Sequence, residues 1–181
     1  VKVTIPASIS TGAGISTVSD KAMSVGMKIA VTTVEIGGIK SKTEKVLICV
    51  DAGPYLMTDE RGGLDTYKVI REDIKRLVNN LPSTVLFNLM AFDISNGAQM
   101  KFFQGNLVAA TAFNKPIACD WINPINTALG KTGVGSIRGP QYNLKYEFLK
   151  QPPASQYYNP WISNIYRVYQ AALEQGADTI Y

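Results

Sequence analysis

Two aspartates stand at the ends of apolar segments, and they are the first residues here that could do chemistry. Asp51 ends the run Val46–Val50, and Asp93 ends a second apolar segment that begins at Val85. Because ligands of open α/β sheets bind at the carboxyl ends of the strands, both carboxylates are predicted at that edge. Two like charges held close together would raise the pKa of one, as in an acid/base pair. The simpler alternative is that Asp51 only caps its own turn.

The sequence has no histidine and two cysteines. The missing histidine excludes Ser-His-Asp and Cys-His nucleophiles, and two cysteines cannot form a four-cysteine zinc site. Cys49 and Cys119 are predicted to be small buried residues without a disulfide. Gly130-Lys131-Thr132 resembles the end of a phosphate-binding loop, but Ile125 stands where that loop needs glycine. We therefore predict a protein that is not an enzyme and has no cofactor.

The composition indicates one ordinary globular domain with an extension. The chain has 181 residues, a net charge of +4, 46 % hydrophobic and 18 % charged residues. No apolar run is long enough for a membrane span, and the positive charge is scattered instead of forming a stripe for nucleic acid. The chain starts at Val1, so we expect a processed protein or a fragment. The compartment stays open, and attachment outside the cytoplasm through an upstream segment is one alternative.

The apolar periodicity predicts alternating strands and helices from Lys45 onward. Val46–Val50 is apolar throughout, which is typical of a strand buried on both faces. We predict it as the central strand, flanked in parallel by Val85–Phe92 and Thr179–Tyr181. Each helix shows apolar residues at 3.6-residue spacing. In the last helix that face holds Ile162, Ile165, Tyr166, Tyr169, Ala172 and Leu173, behind an Asn159-Pro160 start. The further predicted elements are helix Leu64–Leu81, strands Val85–Asp93 and Ala98–Gln104, helix Tyr158–Gln175 and strand Asp178–Tyr181.

Other segments carry weaker signals. Lys28–Ile36 is β-branched and predicts a strand, Lys40–Lys45 is predicted as a polar connection, and Leu107–Phe113 as helical. Residues 130–156 are glycine-rich and then aromatic, and they are either a lid on the domain or part of an interface. The aromatic residues expected beside the ligand face are Tyr142, Tyr146, Phe148, Tyr157, Tyr158 and Trp161.

The order of these segments resembles a bacterial von Willebrand factor type A domain. The matching pieces are V-L-I-C-V-D, the helix after it, F-N-L-M-A-F-D, L-V-A-A-T with C-D-W-I as the next helical region, Y-N-P-W-I-S-N-I-Y-R-V-Y-Q-A-A-L and G-A-D-T-I-Y. The resemblance implies an α/β, three-layer Rossmann-like fold with a mostly parallel central sheet and helices on both faces. It also implies a domain over residues 45–181 that is incomplete at its C-terminus, with an insertion at about 130–157 and an N-terminal extension over 1–44.

The family binds Mg²⁺ through a loop of pattern D-x-S-x-S, a threonine and a further aspartate. Here the loop keeps Asp51, but Gly53 and Tyr55 replace the two serines. The threonine position corresponds to Tyr158, followed by Asn159 and a proline. Since glycine offers no ligand and tyrosine is too large for that role, the resemblance implies a degenerate site without metal.

We therefore expect a non-catalytic module for protein–protein interaction or adhesion, with a protein partner. Its partner face is predicted to include Asp51, Gly53, Tyr55, Tyr158 and Asn159. The Tyr55 ring is expected to fill the space of the metal and to hydrogen-bond Asp51 through its phenol.

Two alternatives stay open. One is Mg²⁺-dependent adhesion through Asp51, helped by Thr58 or Thr132. The other is an enzyme that uses the Asp51/Asp93 pair.

Overall fold

The computed structural model describes residues 32–36, 39–95, 97–128, 132–145 and 160–181. Within these ranges three strands precede the first helix, three more strands follow it, and two helices and a last strand end the order, with short 3-10 turns in the loops. The strands are β1 (Thr32–Ile36), β2 (Ile39–Thr43), β3 (Lys45–Asp51), β4 (Leu86–Asp93), β5 (Gln99–Phe102), β6 (Val108–Ala109) and β7 (Thr179–Ile180). The helices are α1 (Gly63–Asn80), α2 (Asn114–Ile122) and α3 (Pro160–Glu174).

Strand β3 lies inside the main sheet, as its unbroken apolar sequence predicts. It pairs in parallel with β4, where Ile48 lies opposite Leu89, and in parallel with β7, where Leu47 lies opposite Ile180. Apolar side chains on both faces of a strand need cover on both sides, which an edge position cannot supply as well. The predicted central position and the parallel pairing of these three strands are confirmed.

The predicted mostly parallel sheet is wrong, because the sheet is mixed. Its order is β5-β4-β3-β7, and β5 and β6 both pair antiparallel with β4. Only a short connection separates β4 from β5, and such a connection can reverse the chain but cannot form the crossover that parallel strands need. The fold is therefore α/β with a mixed, open sheet.

Helices cover both faces of this sheet, and this expectation is confirmed. On one face, α1 and α2 pack their buried residues against Val46, Ile48 and Val50 of β3. On the other face, Val168, Ala171 and Ala172 of α3 pack in the same cluster as Leu47 of β3. Because successive side chains of β3 point to opposite faces of the sheet, the strand contributes to two separate hydrophobic cores.

Helix α3 differs from its prediction. Its buried residues are Val168, Ala171 and Ala172, whereas most of the large residues of the predicted face point outward. The small alanines let the helix approach the sheet closely, and this leaves the bulky side chains on the far side. The exposed ones are Trp161, Ile162, Tyr166, Tyr169 and Leu173.

The N-terminal strands form a separate two-stranded sheet. β1 and β2 pair antiparallel, with Thr32 opposite Thr43, and within the described residues this hairpin does not extend the main sheet. Most of the predicted polar connection Lys40–Lys45 is thus strand β2. Residues 28–31 of the predicted strand Lys28–Ile36 lie outside the described ranges.

The segment Leu107–Phe113 is not helical as predicted. It contains β6, and the backbone N–H of Ala110 donates to the Val85 carbonyl at 2.9 Å. Helix α2 begins after it at Asn114, so Pro116 falls in the first turn, where a missing N–H costs no hydrogen bond. Of the helices in the described ranges, none combines the length and the apolar character needed to cross a membrane.

Strand β7 is short but firmly attached to β3. The Asp178 carboxylate accepts hydrogen bonds from the backbone N–H groups of Glu44 at 3.0 Å and Lys45 at 3.2 Å, and from the Thr43 hydroxyl. Burial alone would raise the pKa of Asp178, but these hydrogen bonds outweigh it and lower the pKa. Asp178 therefore joins the start of β7 to the start of β3 as an ionised group.

Candidate functional site

Asp51 is held by its own loop through both carboxylate oxygens. The backbone N–H of Gly53 donates to Oδ1 at 2.9 Å, and the Tyr55 hydroxyl donates to Oδ2. A side chain at Gly53 would overlap the Tyr55 ring, so glycine makes room for this contact. The structure thus confirms the predicted Tyr55–Asp51 hydrogen bond, and it also shows Asp51 in the simpler role of capping its turn.

The protonation of this pair follows from its burial. Burial raises the pKa of Asp51, the bonds from Tyr55 and Gly53 lower it, and the nearby charge of Asp93 raises it again, for a net rise. Burial also raises the pKa of Tyr55, and the Asp51 carboxylate adds to that rise. Tyr55 therefore stays a protonated donor to Asp51 through the neutral pH range.

Tyr67 of α1 supports the end of β3 from the side of the hydrophobic core. Its side chain is buried in the core, and its hydroxyl donates to the backbone carbonyl of Asp51. The contact links the first core-facing turns of α1 directly to the last residue of β3. No local pattern marks Tyr67 as part of the site, because it looks like any other apolar-face residue of its helix.

Asp93 lies at the end of β4, beside Asp51. The two strands pair with Asp51 opposite Phe92, so Asp93 follows one residue beyond. Its Oδ1 accepts hydrogen bonds from the Ser95 backbone N–H at 2.8 Å and from the Ser95 hydroxyl at 2.6 Å. Its Oδ2 faces Gly133, where an added Cβ would lie 3.2 Å away. The structure therefore brings the two predicted carboxylates to one edge, each tied to its own loop.

Asn126 joins two loops to this edge from a buried position. Its Nδ2 donates to the Ala52 carbonyl at 3.2 Å, and its Oδ1 accepts from the Gly133 backbone N–H at 2.8 Å. Its φ is 48°, a left-handed conformation that asparagine adopts more readily than most residues. Arg71 of α1 donates to the carbonyl of Asn126 at 2.9 Å and so supports the same loop.

An aromatic surface borders Asp51 on the solvent side. The Tyr55 ring meets Trp161 edge-on, with ring centroids 5.1 Å apart, and the Arg61 guanidinium carbon lies 5.7 Å from the centre of the Tyr55 ring. Trp161 is 46 % exposed and sits in the first turn of α3. Nearby, the Asn164 side chain donates to the Ile94 carbonyl at 3.0 Å, which fixes this turn against the end of β4.

The other predicted residues are distributed differently. Tyr158 and Asn159 lie outside the described residues, as do Tyr146, Phe148 and Tyr157. Tyr142 is turned away from the edge, because its hydroxyl donates to Glu174 at the opposite end of α3 from Trp161, at 2.6 Å. Thr58 is exposed, and its carbonyl closes the turn at Arg61. Thr132 is half-buried and precedes Gly133, the glycine beside Asp93.

The remaining candidate residues are the two cysteines and the possible metal ligands. Cys49 and Cys119 are free thiols, as predicted, but both are half-buried instead of fully buried. Burial still raises the pKa of Cys49 to about 12. Across the described part of the chain, no three His, Cys, Asp or Glu side chains are grouped to hold a metal ion.

A separate open groove of about 1020 Å³ lies between β5, α2 and residues 138–142, away from Asp51. Trp121 lines this groove, and its Nε1 donates to the Arg138 carbonyl at 3.2 Å. The groove is mostly apolar. Tyr142, one of the aromatic residues predicted beside the ligand face, borders it, whereas Asp51, Gly53 and Tyr55 do not.

No protein-family model matches this sequence, and a search of curated proteins found no similar chain.

Proposed function

We propose that this chain is a non-catalytic protein-recognition module of the von Willebrand A type, with a Rossmann-like arrangement and no working metal site. It binds a protein partner through the surface formed by Tyr55, Arg61 and Trp161 at the carboxyl edge of the sheet. The observation that carries the proposal is the engagement of both Asp51 oxygens by Gly53 and Tyr55. Asp51, the loop aspartate that the family resemblance assigns to a metal, is used here to orient an aromatic ring.

The argument against metal rests on competition for Asp51. Mg²⁺ requires oxygen ligands in near-octahedral geometry. A cation at Asp51 Oδ2 would have to displace the Tyr55 hydroxyl and move a ring that packs on Trp161. The contacts of Tyr55 with Asp51 and Trp161 therefore oppose metal binding at the position that the family uses.

The composition of the surface supports a protein partner. Aromatic residues and arginine are enriched in the buried centres of protein interfaces, where they supply large contact area. Tyr55 is held in place by Asp51, so little conformational entropy is lost when a partner covers its ring. A preordered aromatic residue beside an arginine is therefore suited to anchor a protein partner.

A second candidate function, acid/base catalysis by Asp51 and Asp93, is favoured by one observation. The charge of Asp93 contributes to the raised pKa of Asp51, as expected for two carboxylates at neighbouring strand ends. Against it, Ser95 holds Asp93 through two hydrogen bonds, and Tyr55 covers Asp51. We therefore rank recognition first.

Titration with Mg²⁺ or Mn²⁺ at millimolar concentration should leave the melting temperature nearly unchanged. A ligand that binds the native state at a hundred times its Kd stabilises it by about 2.7 kcal/mol, which would shift the melting temperature by several degrees. Differential scanning fluorimetry with and without EDTA measures this directly.

The control for this titration is Tyr55→Phe, which keeps the ring and removes the hydroxyl from Asp51. A cation-induced rise in wild-type melting temperature that disappears in Asp51→Ala would favour metal-dependent adhesion and refute the proposal. A rise only in Tyr55→Phe would support it, since it would show that the phenol excludes the cation.

Trp161→Ala and Tyr55→Ala should each weaken binding to a partner by roughly 1–3 kcal/mol, or about 5- to 150-fold in Kd. Peptides selected from a displayed random library against the wild-type chain provide the probe, and fluorescence polarisation gives the Kd. Both side chains reach solvent, so their removal should lower stability less than loss of a core residue would.

Phe113→Ala is the matched control, since Phe113 is an exposed aromatic residue outside this surface. Selected peptides that bind Trp161→Ala and Tyr55→Ala as tightly as the wild type would argue against the proposed surface.

A further inference from the structure

The outer face of α3 is an apolar stripe in contact with solvent. Ile162, Tyr166, Tyr169 and Leu173 are 53 %, 54 %, 58 % and 68 % exposed. With Trp161, they are all of the exposed residues between 161 and 174, so no charged side chain occupies an exposed position in this span. Contiguous apolar surface of this kind on a folded domain marks an interaction site.

The spacing along the stripe is that of a helix-pairing seam. Ile162, Tyr166, Tyr169 and Leu173 follow one another by four, three and four residues, the alternation of apolar positions that lets one helix pack along another. The core-facing side of α3 is formed by other residues, Val168, Ala171 and Ala172. The stripe is therefore a second packing surface, against which none of the described core residues packs.

The order of residue types within the stripe selects the partner. From either end it presents an aliphatic residue, then a tyrosine, then a tyrosine, then an aliphatic residue. If two copies of α3 pack antiparallel about a two-fold axis, Ile162 meets Leu173 of the other copy, and Tyr166 meets its Tyr169. Self-complementarity of this kind is what an isologous dimer interface requires. We propose that the outer face of α3 docks a second copy of this chain in that antiparallel register.

The size of the stripe sets the strength of the dimer. A large side chain that is about half exposed offers roughly 100 Å² to a partner. Four such side chains give roughly 400 Å² per copy and about 800 Å² for the pair, before polar rim residues are added. Stable interfaces bury more than this, and encounters of this size are weak. We therefore expect a reversible dimer with a Kd on the order of 100 µM.

The dimer is separate from the recognition surface of the proposed function. Trp161 packs on Tyr55 and projects from a different side of α3 than the seam residues. The dimer proposal thus does not depend on partner binding at Asp51, and either can fail without the other.

Sedimentation velocity of the 181-residue chain, from about 10 µM to 1 mM, tests the proposal. The wild type should show a monomer–dimer equilibrium. The double variant Tyr166→Glu/Tyr169→Glu should weaken the dimer at least tenfold, because four like charges would meet at the two-fold axis. The double variant Tyr166→Glu/Tyr169→Lys should bind more tightly than the first, since each acidic side chain would face a basic one of the other copy.

Controls keep these outcomes interpretable. Both tyrosines are exposed, so circular dichroism and the melting temperature of the variants should stay near the wild type. Val69→Glu changes an exposed apolar residue of α1 and should leave the dimer unchanged. A wild type that stays monomeric at 1 mM, or two double variants of equal weakness, would overturn the proposal. In the first case a different chain would be the partner of the stripe, and in the second the antiparallel register would be wrong.

Discussion

Replacing Tyr67 by alanine should lower the free energy of unfolding by about 3–5 kcal/mol, the range found for buried aromatic residues. Tyr67 is 1 % exposed and lies in the core between α1 and β3. The substitution would leave a cavity under the strand end and would also remove the hydroxyl that donates to the Asp51 carbonyl. Urea unfolding monitored by circular dichroism measures the loss. The dependence of the unfolding free energy on urea concentration should be the same in the variant and the wild type.

Tyr67→Phe separates the two contributions. It keeps the ring in the core and removes only the hydroxyl, so we expect a loss of about 1 kcal/mol. Its effect should appear at the site as well, because the Asp51 backbone would lose its link to α1. Equal stability losses in the alanine and phenylalanine variants would contradict the view that ring packing is the larger contribution.

The central strand was predictable because the physics behind it is local. Val46–Val50 contains no polar residue. The side chains of such a run are removed from water only when both faces of the strand are covered. The structure places it between β4 and β7 with helices on either side. The long helix α1 was likewise predictable, since its apolar spacing repeats over five turns and Pro82 follows its end.

The family resemblance predicts the wrong direction for β5 and β6, which run antiparallel to β4. The tight turn signal at Asn96-Gly97 favours a hairpin, and β5 does run antiparallel to β4. A mostly parallel sheet follows from the resemblance, whereas this local signal gives the observed direction of β5. For β6 the segment Leu107–Phe113 was apolar enough to suggest a helix, but a short apolar run does not distinguish the two structures by periodicity alone.

The candidate site was predictable only where its contacts are close in sequence. Asp51, Gly53 and Tyr55 lie within five residues, and the bond between the tyrosine and the carboxylate follows from their shared loop. By contrast, Asn126 reaches Ala52 across 74 residues of sequence. Contacts of that kind depend on how the whole chain packs, and a single sequence carries no local mark of them.

The outer face of α3 shows a different limit. The sequence revealed the apolar residues of the helix but did not show which side would meet the sheet. The structure buries the side with Ala171 and Ala172, because small residues allow close approach, and leaves Tyr166 and Tyr169 outside. Hydrophobicity alone would have chosen the opposite orientation, so shape decided it.

Replacing Asn126 by alanine should lower the free energy of unfolding by roughly 3–7 kcal/mol, the sum of two lost hydrogen-bond partners and the backbone strain. The change leaves two groups without their partner, the Gly133 N–H and the Ala52 carbonyl, and a lost partner costs about 1–3 kcal/mol for a buried polar group. It also forces alanine into the left-handed conformation at φ 48°, at about 1 kcal/mol. Thermal and urea unfolding measure the total.

Asn126→Gly is the matched control for that strain. Glycine adopts positive φ freely but makes neither side-chain hydrogen bond, so it should be more stable than the alanine variant by about 1 kcal/mol and less stable than the wild type. Because Gly133 faces Asp93 Oδ2, both variants should also release the loop beside that carboxylate. Faster amide hydrogen exchange at residues 132–134 would report this release. Unchanged exchange there, together with a loss below 1 kcal/mol for the alanine variant, would show that Asn126 does not hold the two loops at the site.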